Sequence, residues 1–162
     1  MDQEIATPKF LSPGTAREIV SLVLGMCFDT IMEPQFKRKQ CHITILVPDR
    51  DGNPHMLCEY SLNEELWEWS YRLIARSKAK QLWEDRNDGG TDIVPHLLFN
   101  GDTPYWGGVK RQGIVVACSG VQPWFDKMIS GIIADMLIAM AYEAWDKSKD
   151  KKDDVCFIGE SE

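Results

Sequence analysis

Residues 41–60, CHITILVPDRDGNPHMLCEY, decide how the rest of the chain is read. The run Cys41–Val47 is dense in β-branched residues, which suit an extended, pleated backbone. Pro48-Asp49-Arg50-Asp51-Gly52-Asn53-Pro54 is a turn cluster, and His55–Tyr60 returns as a second apolar segment. The pattern predicts a β-hairpin. The cluster superficially matches a calcium loop, but its glycine comes too early and Tyr60 stands where the closing acid belongs. It is a turn, not a metal site.

Outward from the hairpin, helical patterns lie on both sides. Ser12-Pro13 reads as an N-cap followed by proline at the first helical position. Ile19, Val20, Val23, Leu24, Cys27 and Phe28 then recur at helical spacing, and Pro34 is expected to stop the helix. After the hairpin, Asn63–Glu84 reads as a helix rich in Glu, Leu, Trp, Arg, Lys and Ala. Asp85–Thr91 is a polar loop, and a long connection follows through Pro95, Gly101, Pro104 and Gly107-Gly108. One short strand is expected within it around Leu97–Phe99. Gly113–Ser119 is the clearest buried strand; Gly120 breaks it and Pro123 opens the last helix. Ile129, Ile132, Ile133, Met136 and Met140 give that helix an apolar stripe. The order helix, hairpin, helix, strands, helix predicts an α+β fold, a central antiparallel sheet with flanking helices. Residues 1–11 read as an arm, 12–145 as a single domain, and the charge-dense 146–162 as a disordered tail.

The whole chain of 162 residues and 18.5 kDa suits one domain. Lys+Arg 18 against Asp+Glu 25 gives a net charge of −7 and a pI near 5.0. This argues against nucleic-acid binding and against adhesion to anionic membranes. The apolar run Ile129–Ala141 is interrupted by Ser130, Gly131 and Asp135, so no membrane helix is expected, and the acidic start predicts no signal peptide. Five scattered cysteines without a CxxC read as reduced thiols. A cytoplasmic protein is the expectation.

No nucleophile elbow, phosphate loop, dinucleotide fingerprint or zinc helix motif occurs in the sequence. Two segments stand out. In Thr103-Pro104-Tyr105-Trp106-Gly107-Gly108, two glycines beside two aromatics let a backbone approach a flat ligand. A tight turn before a strand accounts for the same residues. In Cys118-Ser119-Gly120-Val121-Gln122-Pro123, a strand empties into a helix N-terminus, a natural site for a carboxylate. Simple capping by Ser119 or Gln122, with Asp126 complementing the dipole, is the alternative. Of the three histidines, His42 reads as structural or surface and His55 as exposed, while His96 is the best placed to ligate a haem iron. Trp67, Trp69, Trp106 and Trp124 read as core or interface anchors.

Taken in order, these segments resemble the haem-degrading-domain family, which includes the GlcG-like and HbpS-like proteins. The likeness covers roughly residues 13–145. Ile43–Asp49 with Asp51-Gly52-Asn53 is similar to the family's first strand and hairpin turn, and Ile74–Ala79 to its "I-A-x-x-K-A" helix. Gly107-Gly108-Val109 resembles its glycine loop, Val116–Gly120 its "V-S-G" strand end, and Asp126 its following acid. The resemblance implies a profilin-like α/β/α layout, a tendency to form homo-oligomers, and binding of haem or another small ligand near the glycine loop. Two positions depart from the pattern: Trp106 and Lys127 stand where the cytosolic branch has histidines.

These readings converge on a non-catalytic small-molecule-binding domain that oligomerises. The ligand would rest between Tyr105, Trp106, Gly107, Gly108 and the Ser119–Gly120 helix start, with Lys78 as a counter-charge or simply a solvated lysine. The alternatives are a structural or partner-binding protein without a ligand, and a haem-degrading enzyme with His96 as axial ligand.

Overall fold

A computed structural model describes residues 7–30, 33–87 and 94–148. Most of the expected arm and tail, residues 1–6 and 149–162, lies outside the described residues.

Helix α1 (Pro13–Asp29) starts as its sequence dictates: the Ser12 hydroxyl accepts the Thr15 N–H at 3.1 Å and Pro13 occupies the first turn. It ends at Asp29, ahead of Pro34, which lies in a short 3-10 turn, Glu33–Gln35. Strands β1 (Cys41–Pro48) and β2 (Pro54–Leu62) form the expected hairpin. Asp49 holds its turn, accepting the N–H groups of Asp51 and Asn53 at 2.9 Å each. The predicted helix over 63–84 is shorter in fact: α2 runs Tyr71–Trp83. Asn63 is left-handed at φ 53° and bonds its side-chain amide to the Lys39 carbonyl, so helix cannot propagate through it. Only a 3-10 turn, Glu64–Leu66, precedes α2.

The strand expected around Leu97–Phe99 is absent; Pro95–Leu97 forms a 3-10 turn instead. Leu97 and Phe99 are apolar but exposed, so their composition misled the strand reading. The glycine pair instead leads directly into a strand the sequence did not advertise, β3 (Gly108–Arg111). It turns at Gln112-Gly113, both with positive φ, into β4 (Ile114–Ser119). Helix α3 (Pro123–Asp146) closes the chain. By length and composition α3 is the one helix among the described residues apolar enough to cross a membrane. In the fold it packs along α1, β3 and β4.

The four strands make one antiparallel sheet in the order β2-β1-β4-β3. The fold is therefore α+β, a central antiparallel sheet flanked by helices, as the sequence predicts. Alternation sorts the two faces. Ile43, Ile45, Val116 and Cys118 point into the main core with Val20, Val23, Ile129 and Ile133 of α1 and α3. Leu46, Val115 and Ala117 point the other way, under Ala79 and Leu82 of α2.

Beyond that smaller apolar patch, the α2 face is polar. The hairpin register sets His42 opposite Ser61 and Thr44 opposite Glu59. His42 contacts Ser61 Oγ through Nδ1 at 2.8 Å and Glu59 Oε2 through Nε2 at 3.0 Å. Arg76 of α2 grips the same carboxylate with two bonds of 2.8 and 2.6 Å. Arg76, helped by His42 and Thr44, holds the Glu59 carboxyl down at about 2, while burial pulls His42 below its ordinary 6.5.

Two predictions follow from this architecture. Gly120 sits at φ +130°, and a Cβ there would lie 2.7 Å from the Gln40 carbonyl oxygen; Gly52 sits at φ +86° in open space. Urea denaturation should show Gly120→Ala costing roughly 2–4 kcal/mol and Gly52→Ala about 1 kcal/mol. Equal costs would contradict the packing. Because His42 and Glu59 both bind protons less readily folded than unfolded, stability should fall on acidification. The His42 share is lost below about 6.5 and the Glu59 share from about 4.5 toward 2. Urea midpoints measured across that range should decline, and Glu59→Gln should flatten the more acidic part.

Candidate functional site

Lys78 lies on α2 with Ala75 and Ala79, and its side chain reaches the end of β4 and the first turn of α3. It is buried to 1% exposure, not solvated as its sequence context suggested. Its ammonium donates to the Cys118 carbonyl at 2.8 Å and to Asp126 Oδ2 at 3.3 Å. Asp126, on the first turn of α3 and 3% exposed, also accepts the Val121 N–H at 3.1 Å and faces the Cys118 thiol at 3.4 Å. It does more than complement a dipole: it fixes the strand-to-helix corner. Burial pushes the Asp126 carboxyl above its ordinary range, against the opposing pull of Lys78 and the Val121 N–H. Burial likewise pushes the Cys118 thiol well up, so it is not a thiolate nucleophile.

The glycine pair serves this junction. Gly107 has φ +137°, and a Cβ on it would come within 2.6 Å of Asp126 Cβ and 2.9 Å of Lys78 Nζ. At Gly108 a Cβ would meet Leu82 at 2.6 Å and the Val116 carbonyl oxygen at 2.8 Å. The close approach these glycines permit is therefore to α2, β4 and α3. Neither lines the cavity beside them.

That cavity, of about 510 Å³, opens between α2, the loop before β3 and the start of α3. Its floor includes Lys78, Asp126, Ser119 and Gly120; its walls include Trp69, Tyr71, Tyr105, Trp106 and Trp124, with Arg38 at one side. Of the seven residues expected to hold a ligand, five meet here: Lys78, Tyr105, Trp106, Ser119 and Gly120. His96 does not; it lies exposed on the Pro95–Leu97 turn. Among the described residues no group of His, Cys, Asp and Glu is arranged to hold a metal ion. Arg38 and Tyr71 were not foreseen, since an arginine in an irregular segment and a tyrosine inside an expected helix carry no local signal.

The cavity offers flat apolar walls, a floor where Lys78 is paired with Asp126, and Arg38 at one side. An ammonium has three N–H donors, and Lys78 directs one to Cys118 and one to Asp126. Gln122, the α3 N-cap, lines the cavity and makes no side-chain capping bond. No family model, no curated protein and no solved structure matches the chain.

The buried pair yields a stability prediction. Lys78→Met strands a carboxylate and should cost about 3–5 kcal/mol in urea denaturation. Adding Asp126→Asn removes that charge while keeping an acceptor for the Val121 N–H, and should recover part of the loss. A double variant no more stable than Lys78→Met alone would contradict the pairing.

Proposed function

We propose that this chain is a small-molecule-binding domain whose cavity takes a flat, carboxylated ligand without itself performing a reaction on it. The observation that carries the reading is the convergence of aromatic walls with Lys78 and Arg38 in one cavity of ligand size. A planar apolar body would lie against Trp106, Tyr105 and Trp124. A carboxylate would meet Lys78 and the α3 N-terminus. The resemblance of the segment order to haem-degrading-domain proteins supports a ligand at this end of the sheet.

Haem fits this cavity in part. The aromatic walls and cations suit a porphyrin plane and its propionates, but no histidine lines the cavity, and His96 stands elsewhere. An iron-ligating role is therefore not assigned to these residues, and no reaction is derived through haem.

The test is a titration with haem and with iron-free protoporphyrin, followed by tryptophan quenching and the Soret band. Both porphyrins should bind saturably, Trp106→Ala should weaken both about tenfold or more, and His96→Ala should change neither. Unchanged affinity in Trp106→Ala, or loss of haem binding in His96→Ala, would overturn the reading.

A partner-binding role has its own support in α3, where Trp124, Met140 and Tyr142 are large, apolar and exposed. Homo-oligomer formation through such a surface would appear as a solution mass that rises with concentration; a monomer at all concentrations would remove it.

A further inference from the structure

A second constellation lies on the α2 face of the β1–β2 hairpin, behind the cavity wall. His42 is 1% exposed, so its ring is held in one orientation by its partners. Glu59 is a carboxylate near neutral pH and can only accept; the His42 Nε2, 3.0 Å away, must therefore carry the proton between them. A buried imidazole kept neutral then has its lone pair on Nδ1. That lone pair faces Ser61 Oγ at 2.8 Å, so the serine hydroxyl donates to it. Hydroxyl, imidazole and carboxylate are thus joined in the sequence and protonation state of an activated nucleophile. The ring is used through Nδ1 toward the serine.

The surroundings complete the arrangement. Thr44 Oγ1 and the Arg76 guanidinium also bond Glu59, at 3.0 Å and at 2.6–2.8 Å, so the carboxylate cannot swing away from the imidazole. Trp67 stands edge-on to the His42 ring, with centroids 6.0 Å apart, and excludes water from one side. Arg72 Nη2 donates to Ser61 Oγ at 3.2 Å and to Glu64 Oε2 at 3.0 Å, so a guanidinium stands beside the attacking oxygen. Unlike His42, Ser61 is partly exposed near the end of β2.

We propose that Ser61 is an acyl-accepting nucleophile, with His42 as its general base and Glu59 as a positioning residue, acting on small activated carboxylic esters. Ser61 Oγ attacks the ester carbonyl carbon while its proton passes to His42 Nδ1. The carbonyl oxygen becomes an oxyanion beside Arg72. The bond to the leaving oxygen breaks, and that oxygen takes the proton from His42. Water, deprotonated by His42, then attacks the acyl–Ser61 ester, releasing a carboxylic acid and restoring the hydroxyl. One ester and one water give one acid and one alcohol.

The experiment is labelling of the full chain with a fluorophosphonate, the adduct located by mass spectrometry, beside hydrolysis of p-nitrophenyl acetate. An adduct on Ser61 is expected, absent in Ser61→Ala, with turnover reduced about a hundredfold or more in Ser61→Ala and His42→Gln. The labelling of the unaltered chain needs no variant to fold. No adduct, or an adduct on another residue, overturns the proposal. Glu59 has a further signature. The imidazole is faced by Glu59 from β2 and by Arg72 and Arg76 from α2. Glu59→Gln leaves only the cations, so the pH midpoint of the remaining hydrolysis should move lower. An unmoved midpoint would show that Glu59 does not act through His42.

Discussion

The buried Lys78–Asp126 pair is the constraint around which the cavity end of the molecule is arranged. Two charges out of water are tolerated only when each finds full partners. Here the ammonium is shared between a carboxylate and the Cys118 carbonyl, and the carboxylate between the ammonium and the Val121 N–H. These bonds tie α2 to the end of β4 and to the first turn of α3. Gly107 must be a glycine because the pair occupies the space a side chain would need. The cavity exists because α2, the β3 approach and α3 are held at that junction and not collapsed onto it.

The central hairpin sorts the rest of the chemistry. One set of alternating residues on β1, Cys41, Ile43, Ile45 and Val47, supplies the apolar core under α1 and α3. The other set carries His42 and Thr44 to the side where α2 brings Arg72 and Arg76. A one-residue slip in register would exchange the faces, burying the histidine in the main core and exposing the isoleucines. Register therefore links stability to the polar network: the strand pairing that buries Ile43 also sets His42 opposite Ser61.

Local signals made much of the fold legible. Ser12-Pro13, the Asp49–Pro54 turn, the GIVVACS run and Pro123 each act through their own backbone chemistry, and each marks an element where it was expected. The failures have tertiary causes. Asn63 adopts a left-handed conformation because it answers the Lys39 carbonyl, a partner distant in sequence. Strand β3 forms by pairing with β4, and its Gly108 leaves the space that Leu82 of α2 fills. At the site, Trp106, Tyr105 and Ser119 were readable as aromatics and a helix start, but the burial of Lys78 was not. An isolated lysine on a helix looks solvated until a carboxylate 48 positions later is brought to meet it. The Ser61–His42–Glu59 chain is equally silent, since its members are spread over two strands and join only through register.

The proposed ligand of the cavity beside Lys78 and Asp126 is a flat carboxylated molecule. An amide and indole nitrogen–proton correlation spectrum, recorded while iron-free protoporphyrin is added, tests whether it binds there. Shifts are expected on the Trp69, Trp106 and Trp124 indoles and on the backbone amides of residues 119–122, 124 and 125. Shifts scattered over the surface, or centred on the His96 turn with those indoles unmoved, would contradict it.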